Sequence, residues 1–332
     1  MSEPSAPAGA VANPRATATT WLWRGTVAVL LLANLITLLT LLATRWWPFD
    51  LMANFAVQLG LIQIAGLMFC IARRAWRIGL ATVVVMLINL VPVAGYYVGG
   101  QAMAAPAGAS IRVMELNLWD RNDRIDLVEG AVRQEAPDLV AFAEVTPEWR
   151  ERLEVLRWDY PYWVRDDRYE WADVLIVSRL PFQAASAQPL GRRGKTAVTA
   201  TVCGSSTDAA RCIDVLAVHL ERPQGRYYAR ARNGHLDALA NLVATRGADR
   251  AVLVGDFNLT PWSPYFPRLL AASGLRDGAV GGGVAPTWFS RWLPFGLPID
   301  HILAGPSVTV HSLHVGPDVG SDHFPVIADL SF

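Results

Sequence analysis

The sequence predicts one α+β or layered domain preceded by three apolar helices. Three observations predict it: uncharged runs crowd the first hundred residues, β-like runs recur through the rest, and helical stretches lie between several of them.

Residues 25–44, 51–72 and 78–97 contain no charged side chain. At about 1.5 Å rise per residue each can cross roughly 30 Å of hydrocarbon, so three transmembrane helices are expected in the region 21–100. Buried core helices would not recur three times with so few residues between them, and a cleaved leader would be shorter and not followed by two more such runs. The tail of residues 1–20 is rich in Ala, Pro, Ser and Thr, cannot bury enough apolar area to offset ordering entropy, and is expected to be disordered. Trp21 and Trp23, then Trp46 and Trp47, flank the first span at the depth indole rings prefer.

Arginine placement sets the orientation. The tail and the connection between the second and third spans share one side and carry Arg15, Arg24, Arg73, Arg74 and Arg77, whereas the connection 45–50 carries Arg45 with Asp50. The positive-inside bias makes the first side cytoplasmic, and an odd number of spans puts the C-terminal domain outside the cytoplasmic membrane. Cys203 and Cys212 bracket a loop between the runs TAVTATV and IDVLAV, where a disulfide across a hairpin mouth is expected. Such a bond persists only in an oxidising compartment. Cys70, inside the second apolar run, reads as a small apolar residue.

Net charge is zero overall, but the membrane part holds six arginines and two acids, which leaves 23 basic and 27 acidic residues from 105 onward. A net −4 domain lacks the basic footprint of proteins that track a nucleic-acid backbone, and Lys195 is its one lysine. Nucleic acid is therefore disfavoured as a partner.

Residues 101–110 read as a short flexible linker, and the folded domain is expected over 111–332, with helices near 124–135, 147–157, 226–245 and 264–273. Its β-like runs repeatedly end in a residue that can bind metal or move a proton: Asn117, Glu144, His219, Asp256 with Asn258, Asp300, and Asp322 with His323 just ahead of the last run. Any one of these has a bland explanation as a turn former, cap or surface group. Six such endings in one domain point instead to one rim where the side chains converge on a cleft.

These residues carry a resemblance. NLW at Asn117, FAEV at Glu144, AVHL at His219, VGDFN around Asp256, PIDHIL around Asp300 and GSDHFPV around His323 stand in the order and at about the spacing of the endonuclease/exonuclease/phosphatase superfamily. That group includes DNase I-like nucleases, neutral sphingomyelinases and inositol-polyphosphate phosphatases. The resemblance implies a four-layer αββα sandwich (DNase I-like) and a metal-dependent hydrolase of phosphoric esters. It implies Glu144 as the principal ligand of Mg²⁺ or Mn²⁺, with Asn117 and Asp322 completing the metal side. Opposite them, Asp256 would orient or deprotonate water and Asn258 would donate to a phosphate oxygen. His323, aligned by Asp300, would donate to transition-state oxygens, and His219 would contact the phosphate or protonate the leaving group.

Some residues depart from the family pattern. Glu115 stands where a small or hydroxyl residue is expected, either as a further metal-side carboxylate or as an arginine's partner, and Trp119 stands where some nucleases have an acid. Around the site, Arg222, Arg226, Arg230 and Arg232 form either a solvated helix face or a clamp for further anionic groups. Trp288, Phe289, Trp292 and Phe295 either fill the core or form an apolar patch near the rim. With the site tethered near a bilayer, the expected substrate is a phosphate ester or pyrophosphate in a lipid or lipid-linked head group. An extracytoplasmic nuclease and a non-catalytic membrane-anchored binding protein are the alternatives.

Overall fold

The computed structural model describes residues 14–98, 109–168, 173–191, 195–203, 212–289 and 295–332, with side chains from Thr20 onward. Four helices come first: α1 (Pro14–Thr40), α2 (Trp47–Ala53), α3 (Ala56–Ala72) and α4 (Trp76–Ala94). The remainder runs β1 (Ser110–Asn117), α5 (Ile125–Glu135), β2 (Leu139–Ala143), α6 (Pro147–Leu153), β3 (Tyr162–Arg165), β4 (Val174–Ser178), β5 (Phe182–Pro189) and β6 (Thr196–Cys203). After these come β7 (Cys212–His219), α7 (Arg226–Arg246), β8 (Ala251–Asp256), α8 (Tyr265–Ser273), β9 (Arg276–Asp277), β10 (Asp300–Ala304), β11 (Thr309–Val315) and β12 (Val326–Ser331).

The N-terminal helices differ from expectation in two places. Helix α1 starts at Pro14, inside the segment expected to be a disordered tail, and the residues before it lie outside those described. The second span is not one helix: α2 and α3 meet at a 67° bend. The bend has a local cause, because the Asn54 amide turns back onto the carbonyls of Asp50 (2.9 Å) and Leu51 (3.4 Å) while its Oδ1 accepts from Thr260 of the following domain. Two helices, Thr20–Thr40 and Trp76–Ala94, are long and apolar enough to cross a membrane, or three if the bent pair counts as one span. Polar residues within these runs turn inward and satisfy one another. Gln63 donates to Asn34 (3.0 Å), Asn89 donates to Gln63 (2.9 Å) and to Thr37 (2.8 Å), and Asn34 donates to Thr82 (3.0 Å).

Two six-stranded mixed sheets follow, ordered β11-β12-β1-β2-β4-β3 and β5-β6-β7-β8-β10-β9. Strand alternation divides their side chains between faces. Ile111 and Val113 of β1 pack between the sheets with Ile176, Val215, Val254 and Ile302. Met114 and Leu116 face the opposite way, onto Val128, Val132 and Trp149 of α5 and α6. On the second sheet's outer face, Leu216 and Leu253 meet Leu239 and Val243 of α7 and Phe266 of α8. The layers are thus helix, sheet, sheet, helix. Strand β5 carries small residues and ends at Pro189, so no apolar run announces it; it is an edge strand, where proline is tolerated. Cys203 and Cys212 face each other in register on β6 and β7, and their sulfurs are bonded.

The catalytic-type domain does not hang on a loose tether. Arg232 of α7 pairs with Asp50 of α2, Ser263 donates to the other Asp50 oxygen (2.6 Å), and Tyr96 donates to Asp277 (2.6 Å). The expected flexible linker lies almost wholly outside the described residues.

Candidate active site

Neighbouring strands that share one edge bring their terminal residues together there, the last residues of β7 and β8 and the first of the antiparallel β10. On the second sheet His219 pairs in register with Asp256, and Asp256 with Asp300. On the first, Asn117 closes β1 opposite Ala143, one residue before Glu144. Gly255 lets β7 and β8 approach, since a Cβ there would stand 1.9 Å from the Val218 carbonyl oxygen. The segment carrying Asp322 and His323 is tied to β1 by Ser321, whose hydroxyl donates to the Asn117 carbonyl (2.7 Å).

All eight predicted residues gather around this rim, and Asn117 is the link between the two sheets. Its Nδ2 donates to Glu144 (3.2 Å) and to Asp256 (3.1 Å). Glu144 also accepts from the Asp120 backbone (3.1 Å) and from the Arg222 guanidinium. Burial pushes the Glu144 carboxyl up, but His219 and Arg222 outweigh it and hold it below the usual carboxylate range. Asp256, fully buried, moves the opposite way. Burial and the neighbouring Asp300 raise it, against the pull of His323 and His219.

His323 donates through Nδ1 to both oxygens of Asp300 (3.0 and 2.9 Å). Burial alone would lower the imidazole, but Asp300, together with Asp256 and Asp322, raises it to about 9. Thr287 in turn donates to Asp300. The Asn258 amide reaches Asp256 (3.2 Å) and the Leu220 carbonyl (2.9 Å), so it buttresses Asp256 from the side. Asp322 accepts from the Trp288 indole (3.0 Å) through one oxygen; its other oxygen is buried and has no hydrogen-bond partner among the described residues. Glu144 (φ 57°), Asn258 (φ 51°) and Trp119 (φ 62°) all hold left-handed backbone, a strain that collects at working sites.

Sequence reasoning missed the residues that hold His219. Its Nδ1 lies 2.8 Å from Asp173, which also accepts from Lys195 (2.5 Å), while Nε2 is buried without a hydrogen bond, 3.6 Å from Asp256 and 3.8 Å from Glu144. Asp173 opens a β-like run instead of closing one, so the search for strand endings passed it over. The arginine cluster does not act as one surface: Arg222 enters the site and Arg232 is buried against Asp50. Among the described residues Glu115 has no arginine partner. It lies on the inner face of β1 with neither oxygen hydrogen-bonded, and burial, then Asp300 and Asp256, push its carboxyl well above the usual range. Of the aromatic loop, Phe289 and Phe295 are exposed (45 % and 61 %), Trp288 is half-buried, and Trp292 lies outside the described residues.

The donor set fits a divalent cation. Glu144, Asp256, Asp300, Asp322 and Glu115 crowd the cleft, and the unpartnered Asp322 oxygen and the guanidinium resting on Glu144 both mark places where positive charge is wanted. Ligand-capable atoms of Asp256, Asp300 and His323 also lie within 4.8 Å of one another. In that trio His323 gives Nδ1 to Asp300 and turns Nε2 toward Asp256, 3.9 Å away.

The profile of the Endonuclease/Exonuclease/phosphatase family matches residues 106–323. A sequence comparison with curated proteins finds no match. Among solved structures, a family protein from Bacteroides thetaiotaomicron is 17% identical, with 69% of this chain and 99% of that one aligned and a TM-score of 0.57. A Bacteroides vulgatus family protein is 21% identical over 67% and 98% of the two chains (TM-score 0.56). The human Nocturnin catalytic domain with bound sulfate is 17% identical over 69% and 96% (TM-score 0.56). At these identities the likeness is one of fold.

Proposed function

The chain belongs to the endonuclease/exonuclease/phosphatase family and is a metal-dependent hydrolase of phosphoric ester bonds; from that premise we propose that it works at a membrane, on a phosphate ester or pyrophosphate of a lipid or lipid-linked head group. The hydrolytic half of the reading rests on the Asn117 bridge, which holds two carboxylates of the cleft, Glu144 and Asp256, on one amide.

In this proposal Glu144, Asn117 and Asp322 would hold Mg²⁺ or Mn²⁺, and the chemistry such an ion would supply is polarisation of a phosphoryl oxygen and neutralisation of charge developing there. Asp256, made more basic by burial, orients water and takes its proton. His323, kept cationic by Asp300, donates to the phosphoryl oxygens. His219, fixed through Nδ1 by Asp173, turns Nε2 to the phosphate or leaving group. Asn258 reaches a phosphate oxygen by exchanging its contact with Asp256.

The membrane half of the reading rests on the helices and on what touches them. Leu31, Leu35, Leu80, Val84 and Val91 are exposed while the polar residues turn inward, a pattern suited to hydrocarbon and costly in water. Gln58 of α3 donates to the Gly296 carbonyl (3.3 Å), which brings the loop with exposed Phe289 and Phe295 beside the helices and beside Asp322. The arginine bias and the Cys203–Cys212 bond support an extracytoplasmic catalytic domain on a multi-pass cytoplasmic-membrane protein.

The test is a screen of the full chain in lipid nanodiscs with Mg²⁺ against lipid phosphates, nucleic acid and soluble phosphate esters. Lipid phosphate hydrolysis that a chelator abolishes is expected. Cleavage of DNA in preference to lipid would establish a nuclease instead, and absence of metal binding together with absence of hydrolysis would leave a binding protein.

A further inference from the structure

We propose that the junction between the helical segment and the catalytic domain holds the phosphate of an anionic membrane phospholipid, between Arg45, Arg226 and Arg230. The proposal rests on the reading that the N-terminal helices lie in a bilayer, and it concerns a cavity outside the catalytic cleft.

A cavity of about 390 Å³ opens where the turn after α1 meets α7, lined by these three arginines, by Trp46 and Trp47, and by Asp50. Among the described residues none of the three arginines has a carboxylate partner. Asp50, the acid in the lining, is already spent: one oxygen holds Arg232 and the other accepts from Ser263. The cavity wall is therefore cationic with nothing in the described protein to balance it.

Local helix physics runs against this arrangement. Arg226 opens α7, whose first turn has no acidic residue, so it stands at the positive end of the helix dipole. Arg230 lies four residues on, where like charges share a face and repel. A sequence that breaks two local rules at one place usually serves a ligand there, and an anion bound between the two side chains would reverse the sign of both effects.

The depth of the cavity selects the kind of anion. It lies just past the last turn of the apolar helix α1, and Trp46, 53 % exposed, stands at its mouth as indoles do at the head-group level. Phosphate groups of bilayer lipids occupy that level, and basic pockets beside membrane helices are built to take them. Arg232, held by Asp50, also donates to the Asn258 carbonyl (3.3 Å), so the cavity is one ion pair away from the catalytic loop.

The test uses the full chain reconstituted in vesicles of phosphatidylcholine with or without phosphatidylglycerol, with native mass spectrometry counting the lipid retained on release. Phosphatidylglycerol should be retained in preference to phosphatidylcholine, and the R226Q/R230Q variant should lose about tenfold or more of that preference, as expected for lost charge-assisted hydrogen bonds. Arg45→Gln, on a different element, should show a comparable loss, which one misfolded helix could not produce. Equal retention of both lipids by the wild type, or wild-type preference in both variants, overturns the proposal, as does displacement of the lipid by an equal concentration of inorganic phosphate. Release of the wild-type chain by an alkaline wash would overturn the membrane reading itself, whereas a chain that stays in the bilayer without head-group preference overturns the pocket alone.

Discussion

Asp50, at the bend of the helical segment, and Arg232, in α7, form an ion pair whose members are 1 % and 0 % exposed. The pair joins the helices to the catalytic domain, and Arg232 extends the connection to the backbone of Asn258. Orientation of the cleft relative to the helices is therefore built into the packing. Removing one member leaves the other charge buried and uncompensated, so Asp50→Ala should cost about 3–5 kcal/mol of stability, whereas Asp50→Leu with Arg232→Met should recover most of it. Thermal unfolding of the full chain in detergent measures both; equal midpoints for the single and double variants would contradict the buried pairing.

In the cleft Glu144 is touched by Arg222 and faced by His219. Glu144→Gln keeps the shape but removes the charge. Hydrolysis at saturating Mg²⁺ should fall on the order of a hundredfold or more, with weaker metal binding by calorimetry. A variant that keeps both wild-type activity and metal affinity would move the metal site to another set, such as Asp256, Asp300 and His323.

The Asp173 carboxyl supplies a pH dependence with a definite sign. Burial alone would raise it, yet His219 and Lys195 outweigh burial and hold it well below its unfolded value of about 3.9. Its stabilising contribution is complete above that unfolded value and is lost as pH falls through the lower folded one. Wild-type stability should thus decline steeply below about pH 4, and Asp173→Asn should be less stable at neutral pH but flatter across the acid range. Acid unfolding followed by circular dichroism compares the two slopes.

How much of this was legible in the sequence depends on whether the signal was local. Apolar runs that end in Asn117, Glu144, His219 and Asp256 reveal both the strands and the rim, because strand identity and strand ending lie within a few residues. Asp173 was hidden because it joins His219 from the start of a strand in the other sheet. The bend at Asn54 was hidden for a related reason. Its cause lies in Thr260, far along the chain, and hydropathy averaged over a span does not register one hydrogen-bonded side chain. Arg222, Arg226, Arg230 and Arg232 looked alike as a charge cluster, yet Arg222 precedes α7 and enters the cleft, Arg226 and Arg230 line one cavity beside the helical segment, and Arg232 is buried against Asp50.

Phe289 and Phe295 are exposed, and beside them Trp288 donates to Asp322 and Gly296 accepts from Gln58 of α3. Their exposure costs the isolated chain apolar hydration, and a bilayer beside the helices would remove it. Burying one phenylalanine side chain is worth roughly 1.5–3 kcal/mol, so Phe289→Ser with Phe295→Ser should raise KM for a vesicle-borne phosphate ester about tenfold or more. The kcat on a short-chain soluble ester should change little, since neither ring belongs to the proposed catalytic set. Equal losses on vesicle and soluble substrates would mean that the loop supports the cleft's structure, and it would then no longer count as a lipid-facing surface.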